Sequence, residues 1–350
     1  MPSVMTTGAE EFLQDWPPLK LKASSADYYF DSYNHYGVHE DILHDAVTIP
    51  AYQQAIQQNA HLFKDKVVLE VSAGLGLCSL FAAKAGAARV IAMEVHPELV
   101  EIGNDVARKN GYAEVLQFIC GTPSSIGKLP WDLEAVDIIV SVFMGYCLLY
   151  EARLPEVLQA RDRWLKPSGL IFPDRAKLFV SLVEDPEYKR HHYDYYDQVW
   201  GFDFSAMKEA AKSEPVVQAC EQKSLLSSST CVLNLDLHRC TVADCYEMAA
   251  QFKLRCRREG NLDGLITWFE IWFSACHKPI SFSTGPESTA TCWKQTIFFF
   301  QGLTRRVCSG DDVHCMLAVK KLVEGRRHMD VKVAFKINGG SQQMHYFRWM

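Results

Sequence analysis

From Val67 to Pro173 short apolar runs alternate with amphipathic stretches, and the spacing predicts strands and helices in turn. Val67–Val71 reads as a β-branched strand that runs into a glycine-containing turn. Leu77–Ala88 is alanine-rich and helix-favouring, and Arg89–Met93 returns as a strand. Glu98–Asn110 follows as a helix, with Pro97 before it and Gly111 at its C-terminal stop. Ala135–Val142 is another apolar strand, and Pro155–Leu165 a helix closed by Lys166-Pro-Ser-Gly169. This is the βαβ rhythm of a parallel, doubly wound sheet.

After Pro173 the period shortens. Leu233–Leu237, Phe252–Arg258, Val313–Val319 and Val331–Ile337 alternate apolar with polar residues, while Thr267–Cys276 and Thr296–Phe300 are denser apolar strands. Many short strands of this kind predict an antiparallel barrel or sandwich. Between the two regimes lies Lys189–Lys212, where Tyr193, Tyr195, Tyr196, Trp200, Phe202 and Phe204 crowd together. Ser224–Thr230 reads as a surface loop. The fold class is therefore α/β followed by β.

Composition narrows the function classes without naming one. At 350 residues the chain suits two domains, and 48% apolar with 22% charged residues is ordinary for a soluble protein. A net charge of −6 and the lack of a basic-aromatic stripe argue against direct nucleic-acid binding. The twelve cysteines lack paired short spacings; Cys240 and Cys245 have no matching second pair, so no metal site is expected. Free thiols suit a reducing compartment, and the expected location is cytoplasmic. Residues 1–25 carry Glu10, Glu11 and Asp15 and no continuous apolar core, unlike a signal peptide. Ile138–Tyr150 is too short and too interrupted to span a bilayer, so no membrane partner is expected.

The chemistry concentrates in Ser141-Val-Phe-Met-Gly-Tyr-Cys-Leu-Leu-Tyr-Glu151. This stretch resembles the double-glutamate loop of protein arginine methyltransferases, S-E-x-M-G-Y-x3-Y-E, with Val142 where the first glutamate should stand. A guanidinium shares its charge over three nitrogens, so none is nucleophilic. Two carboxylates on one side draw that charge away and aim the remaining nitrogen at a sulfonium methyl. Only Glu151 remains here, and Val142 would leave part of an entering cation desolvated.

Further motifs carry the same resemblance. Val67-Val-Leu-Glu-Val-Ser-Ala-Gly-Leu-Gly76 is similar to the glycine-rich motif V-L-D-x-G-x-G-x-G, retaining Gly74 and Gly76 but with Ser72 for the first glycine and Glu70 for aspartate. Glu94 matches the acid that holds the ribose hydroxyls of S-adenosylmethionine. Gln53 stands where T-Y-R has the arginine that clamps the cofactor carboxylate, and it offers neither charge nor a bidentate fork. Gly121-Thr-Pro-Ser-Ser125 lacks the acidic pair expected near the adenine. Tyr28-Tyr-Phe-Asp-Ser-Tyr33 with His39-Glu40 resembles the family's Y-F-x-x-Y helix, with Ile42 for a methionine. Cys292, in Thr291-Cys-Trp293, replaces the histidine of T-H-W, and nothing nearby in sequence supplies a base to activate it. Outside the sites His61–Lys66, Phe81–Gly86, Gly169–Arg175 and Phe282–Glu287 match closely.

The resemblance implies a methyltransferase-type Rossmann-like domain over residues 26–173, after a partly flexible segment 1–25, then a β-barrel domain over 174–350. Within the barrel a helical dimerisation arm, about 188–215, would present Tyr195, Tyr196, Trp200 and Phe202. Pro173 matches a family proline that is often cis. The departures imply a prozyme. Such a chain would not be an enzyme by itself and would bind no cofactor tightly, leaving S-adenosylmethionine to its partner. It would pair with an active arginine methyltransferase homologue, as a heterodimer or dimer of heterodimers, and regulate methylation of arginine-rich protein substrates. Two alternatives stay open: a weak or redirected adenosylmethionine-dependent methyltransferase, and a scaffold for arginine-rich or RNA-associated proteins.

Overall fold

The computed structural model describes residues 36–302, 304–321 and 328–349. The N-terminal segment 1–25 and the aromatic motif Tyr28–Tyr33 lie outside the described residues. Two short helices lead in, α1 (Tyr36–Leu43) and α2 (Thr48–Gln57). Asp45 starts α2 from outside, its Oδ1 accepting from the amides of Val47 at 2.9 Å and Thr48 at 2.6 Å.

The first domain is built on five parallel strands in the order β3-β2-β1-β4-β5: β1 (Val67–Val71), β2 (Arg89–Glu94), β3 (Leu116–Cys120), β4 (Val136–Val140) and β5 (Leu165–Phe172). The helices α3 (Leu77–Lys84), α4 (Pro97–Lys109) and α5 (Leu154–Trp164) link them. Because β2 lies on one side of β1 and β4 on the other, the connections diverge at the carboxyl end of β1 and leave a crevice there. The turn 72–76 and the loop 141–151 both open into it.

Two expected boundaries move. α3 stops at Lys84 rather than Ala88. Gly86 adopts φ +92°, its amide bonds Ala83 O, and the next amide bonds Ala82 O, closing the helix in a Schellman arrangement. Lys166-Pro-Ser-Gly169, read as a helix stop, is instead part of β5. β5 is an edge strand whose pairing with β4 shifts register between Val136 and Ile138, which is where a proline is tolerated in a sheet.

The second domain is antiparallel. One sheet has the order β7-β13-β11-β6-β8, with β12 also paired to β11. Its strands are β6 (Arg175–Val183), β7 (Val216–Gln218), β8 (Thr230–Asp236), β11 (Gly264–Phe273), β12 (Ile280–Ser283) and β13 (Gln295–Phe299). Another runs β17-β16-β15-β9, from Gln343–Trp349, Met329–Ile337, Asp312–Lys321 and Glu247–Arg255. A short pair joins β10 (Gly260–Leu262) to β14 (Arg305–Val307). Strands β6 and β17 lie beyond the alternating runs read from the sequence.

The stretch 224–230 is no surface loop throughout. Leu226 and Ser227 are buried, and the Ser227 hydroxyl accepts from the Leu182 amide at 3.0 Å, so the segment is stitched into the sheet. The peptide before Pro173 is cis. The domains share an aromatic seam: Phe172 packs on Phe63 and Phe273, and Tyr52 meets Phe273 edge-on at 4.9 Å. Fully buried rings bind the two halves by burial, roughly 2–3 kcal/mol for each such side chain removed from water. No helix among the described residues is long and apolar enough to cross a membrane.

Candidate functional site

The crevice at the end of β1 holds a pocket of about 110 Å³, reached by residues from several elements. The turn 72–76 forms its floor. Ser72 sits at φ +56°, Gly74 at +54° and Gly76 at +72°, so three of five residues adopt left-handed backbone. A Cβ on Gly76 would lie 2.2 Å from the Phe118 ring, which is why only glycine fits there. Ser72 has no such freedom and costs about 1 kcal/mol or more in this conformation. Its hydroxyl offsets part of that by donating to Glu156 Oε2 at 2.8 Å.

Two carboxylates frame the turn. Glu94, at the end of β2, accepts from the Gly74 amide at 2.8 Å through Oε2, and from the Val95 and His96 amides through Oε1. Backbone donors therefore fix its orientation at the pocket wall. Glu70, on β1, is fully enclosed and accepts from the amide of Ser79 at 2.7 Å and from its hydroxyl. Burial raises its carboxyl to about 7, against the lowering effect of the Ser79 bonds. His96 also lines the pocket, and its buried Nε2 has no hydrogen-bond partner among the described residues.

The opposite wall is the loop 141–151. It is wound so tightly that Cys147, Leu148 and Glu151 all take positive φ, at 50°, 65° and 64°. Gly145 makes this possible, since a Cβ there would fall 1.7 Å from the Tyr150 carbonyl oxygen. Tyr52 donates to the Ser141 carbonyl at 2.7 Å, and the Ser141 hydroxyl donates to Val71 O at 2.8 Å, tying the loop to β1. At its far end Tyr150 stacks on Trp349 of the second domain at 4.1 Å. Strained backbone held by so many neighbours is the mark of a positioned site. What it positions is Glu151, which lines the pocket together with Val142, Met144 and Trp293.

The structure sorts the residues expected from sequence. Ser72, Gly74, Gly76, Glu94, Val142 and Glu151 come together around one pocket, with Ile42 and His39 of α1 above them. Gln53 does not join them: it is exposed on the outer face of α2. Ser124 and Ser125 close a polar turn on Thr122 and do not line the pocket. Cys292 lies beside it, its amide donating to Asp45 Oδ2 at 2.8 Å. Burial, and then the Asp45 carboxylate, push its thiol far above the ordinary cysteine value, so it is neutral and no nucleophile. Sequence reasoning missed Arg153 and His96. Arg153 stands two residues after Glu151, and that spacing alone does not place it at the pocket.

The arm is separate from the pocket. Short helical turns over 186–197 and α6 (Ser205–Ala211) flank a hairpin turn in which Val199 and Phe202 exchange backbone bonds of 2.8 and 3.0 Å. Trp200 at φ 52° and Gly201 at φ 87° give that turn its reversed twist. Trp200 is 92% exposed, Phe202 69% and Tyr195 52%. Tyr196 is half-buried, while Tyr193, 2% exposed, anchors the arm against Phe299.

Residues 174–342 match the arginine methyltransferase oligomerization subdomain, and residues 68–169 match a methyltransferase domain. Protein arginine N-methyltransferase 1 of Caenorhabditis elegans is 38% identical over 92% of this chain and 92% of its own length. The Schizosaccharomyces pombe protein of that name is 40% identical over 90% and 91%. Among solved structures, a chain of the Trypanosoma brucei PRMT1 enzyme-prozyme heterotetrameric complex with AdoHcy superposes with a TM-score of 0.86 at 32% identity, covering 91% of this chain and all of that one. These relatives correct the expectation that the chain is not itself an enzyme. Proteins named as methyltransferases match over most of its length and point to an enzyme. The geometry gives a physical reason: the pocket persists, and Glu94 and Glu151 are both held at its walls. The chain belongs to the protein arginine methyltransferase family.

Proposed function

We propose that this chain is an adenosylmethionine-dependent methyltransferase subunit acting on protein arginines, and that it works paired with a second arginine methyltransferase chain whose activity it supports. The observation that carries the pairing is the arm: Trp200, Phe202 and Tyr195 protrude into solvent from a turn braced by a buried tyrosine. Large rings exposed together are anchors for another protein surface. The likeness to a chain of an enzyme-prozyme heterotetramer supports the same reading, with a heterodimer or a dimer of heterodimers as the assembly.

The pocket suits the cofactor at several points. Glycine turn 74–76 admits close approach of a ligand to backbone, Glu94 suits ribose hydroxyls, and the orphaned His96 Nε2 offers one further polar contact. When bound, adenosylmethionine supplies an electrophilic sulfonium methyl. Glu151 would hold the arginine guanidinium by charge-assisted bonds and orient one nitrogen. Val142 supplies no second anion, so this chain grips the guanidinium with one carboxylate from the loop.

The test is purification of the full chain under native conditions, followed by identification and quantitation of what accompanies it. The proposal expects a second arginine methyltransferase at fixed stoichiometry. Homogeneous monomer at physiological concentration would overturn the pairing.

A further inference from the structure

Arg153 is the one lysine or arginine among the described residues that line the pocket. Its Nη1 donates to Glu156 Oε1 at 2.9 Å, and the other oxygen of Glu156 receives the Ser72 hydroxyl. One carboxylate thus fixes the guanidinium with respect to the turn that floors the pocket. Arg153 is the N-cap of α5, where the positive end of the helix dipole disfavours a cation, and the ion pair with Glu156 in the first turn holds it there. The guanidinium is thereby kept at the pocket wall, beside Glu151.

The cofactor proposed above carries a carboxylate at its amino-acid end, and in a pocket lined by Glu94 and Glu151 that anion needs a cation beside it. Gln53 on α2 is neutral and turned to solvent. With the nucleoside end at Glu94 and His96, the amino-acid end would lie toward Ser72, Glu151 and Arg153. We infer that Arg153, braced by Glu156, is the residue that binds the carboxylate of the methyl donor. This inference rests on the cofactor reading of the pocket. It adds that the carboxylate is gripped from the start of α5.

The test compares two ligands on the full chain by calorimetry. S-adenosylhomocysteine carries the amino-acid carboxylate; 5′-methylthioadenosine keeps the nucleoside thioether and lacks it. Arg153→Ala should weaken the first by about tenfold to a hundredfold, the range for charge-assisted bonds, and leave the second unchanged. Arg153→Lys should fall between. Should Arg153→Ala unfold the chain, Glu156→Gln replaces it, keeping the cation while loosening its brace, with a smaller loss again confined to S-adenosylhomocysteine. Equal losses for both ligands, no loss for either, or tighter binding by Arg153→Ala would overturn the assignment. An unaltered chain that binds neither ligand would overturn the cofactor reading, and this inference with it, before any substitution is made.

Discussion

Glu70 offers a prediction that can be worked through from its surroundings. It is fully enclosed, and burial raises its carboxyl from the ordinary 4.5 to about 7 in spite of the Ser79 bonds. An acid whose folded value is raised holds its proton more tightly folded than unfolded. Its stabilising share is therefore present below pH 4.5 and is lost as the pH climbs toward 7. Between pH 5 and 8 the loss comes to about 2–3 kcal/mol. Glu70→Gln keeps a carbonyl oxygen for the Ser79 amide and hydroxyl but cannot ionise. Urea unfolding of both proteins across pH 5 to 8.5, taken as a difference, cancels the other titrating groups. The Gln variant should gain on the parent by about 2–3 kcal/mol over that range, with little separation at the acid end. A difference curve flat with pH would refute the reasoning and show that Glu70 stays ionised when folded.

Other outcomes follow from single observations. Gly145→Ala should destabilise the chain by about 1–3 kcal/mol or more, because the new Cβ meets the Tyr150 carbonyl, while Gly37→Ala, in open space on α1, should be neutral or slightly stabilising by thermal denaturation. Val142→Glu should raise the chain's own turnover on an arginine peptide by about tenfold or more and Glu151→Gln should lower it, measured by methyl transfer; a fall with Val142→Glu would show that the pocket cannot house a second anion. Iodoacetamide at pH 8 should label exposed Cys120 and Cys308 and spare Cys292, whose thiol burial and Asp45 keep neutral, as peptide mass spectrometry would report. Trp200→Ala with Phe202→Ala should leave the melting temperature of the chain unchanged, since both rings are exposed, and should abolish co-elution with a partner methyltransferase.

The sheet of the first domain was legible because its signal is local. β1, β2 and β4 are apolar runs bounded by turns, and their ends fall within two residues of the pattern. The Lys166–Gly169 stretch misled because a proline-glycine cluster looks the same at an edge strand as at a helix stop. Only the pairing of β5 with β4 tells them apart. At the site, the motifs brought Ser72, Gly74, Glu94 and Glu151 to one place, since a glycine turn and an acid at a strand end report position directly. Gln53 could not be placed by type, because which face of α2 meets the pocket depends on packing. Arg153 went unread for the same reason: its meaning comes from Glu156 and Ser72, the latter distant in sequence. Activity is where the sequence misleads: Val142, Gln53 and Cys292 depart from the family's functional residues, while Glu94 and Glu151, the basis of the weak-methyltransferase alternative, keep their places at the pocket.

Methyl transfer by purified proteins tests the central claim most directly. The chain alone, a second arginine methyltransferase alone, and their equimolar mixture would each be given labelled adenosylmethionine and an arginine-rich peptide, with complex formation followed by light scattering. The account predicts measurable transfer by the chain alone, a stable mixed assembly, and a rate for the mixture well above the two separate rates combined. Rates that merely add, with no mixed assembly, would contradict it.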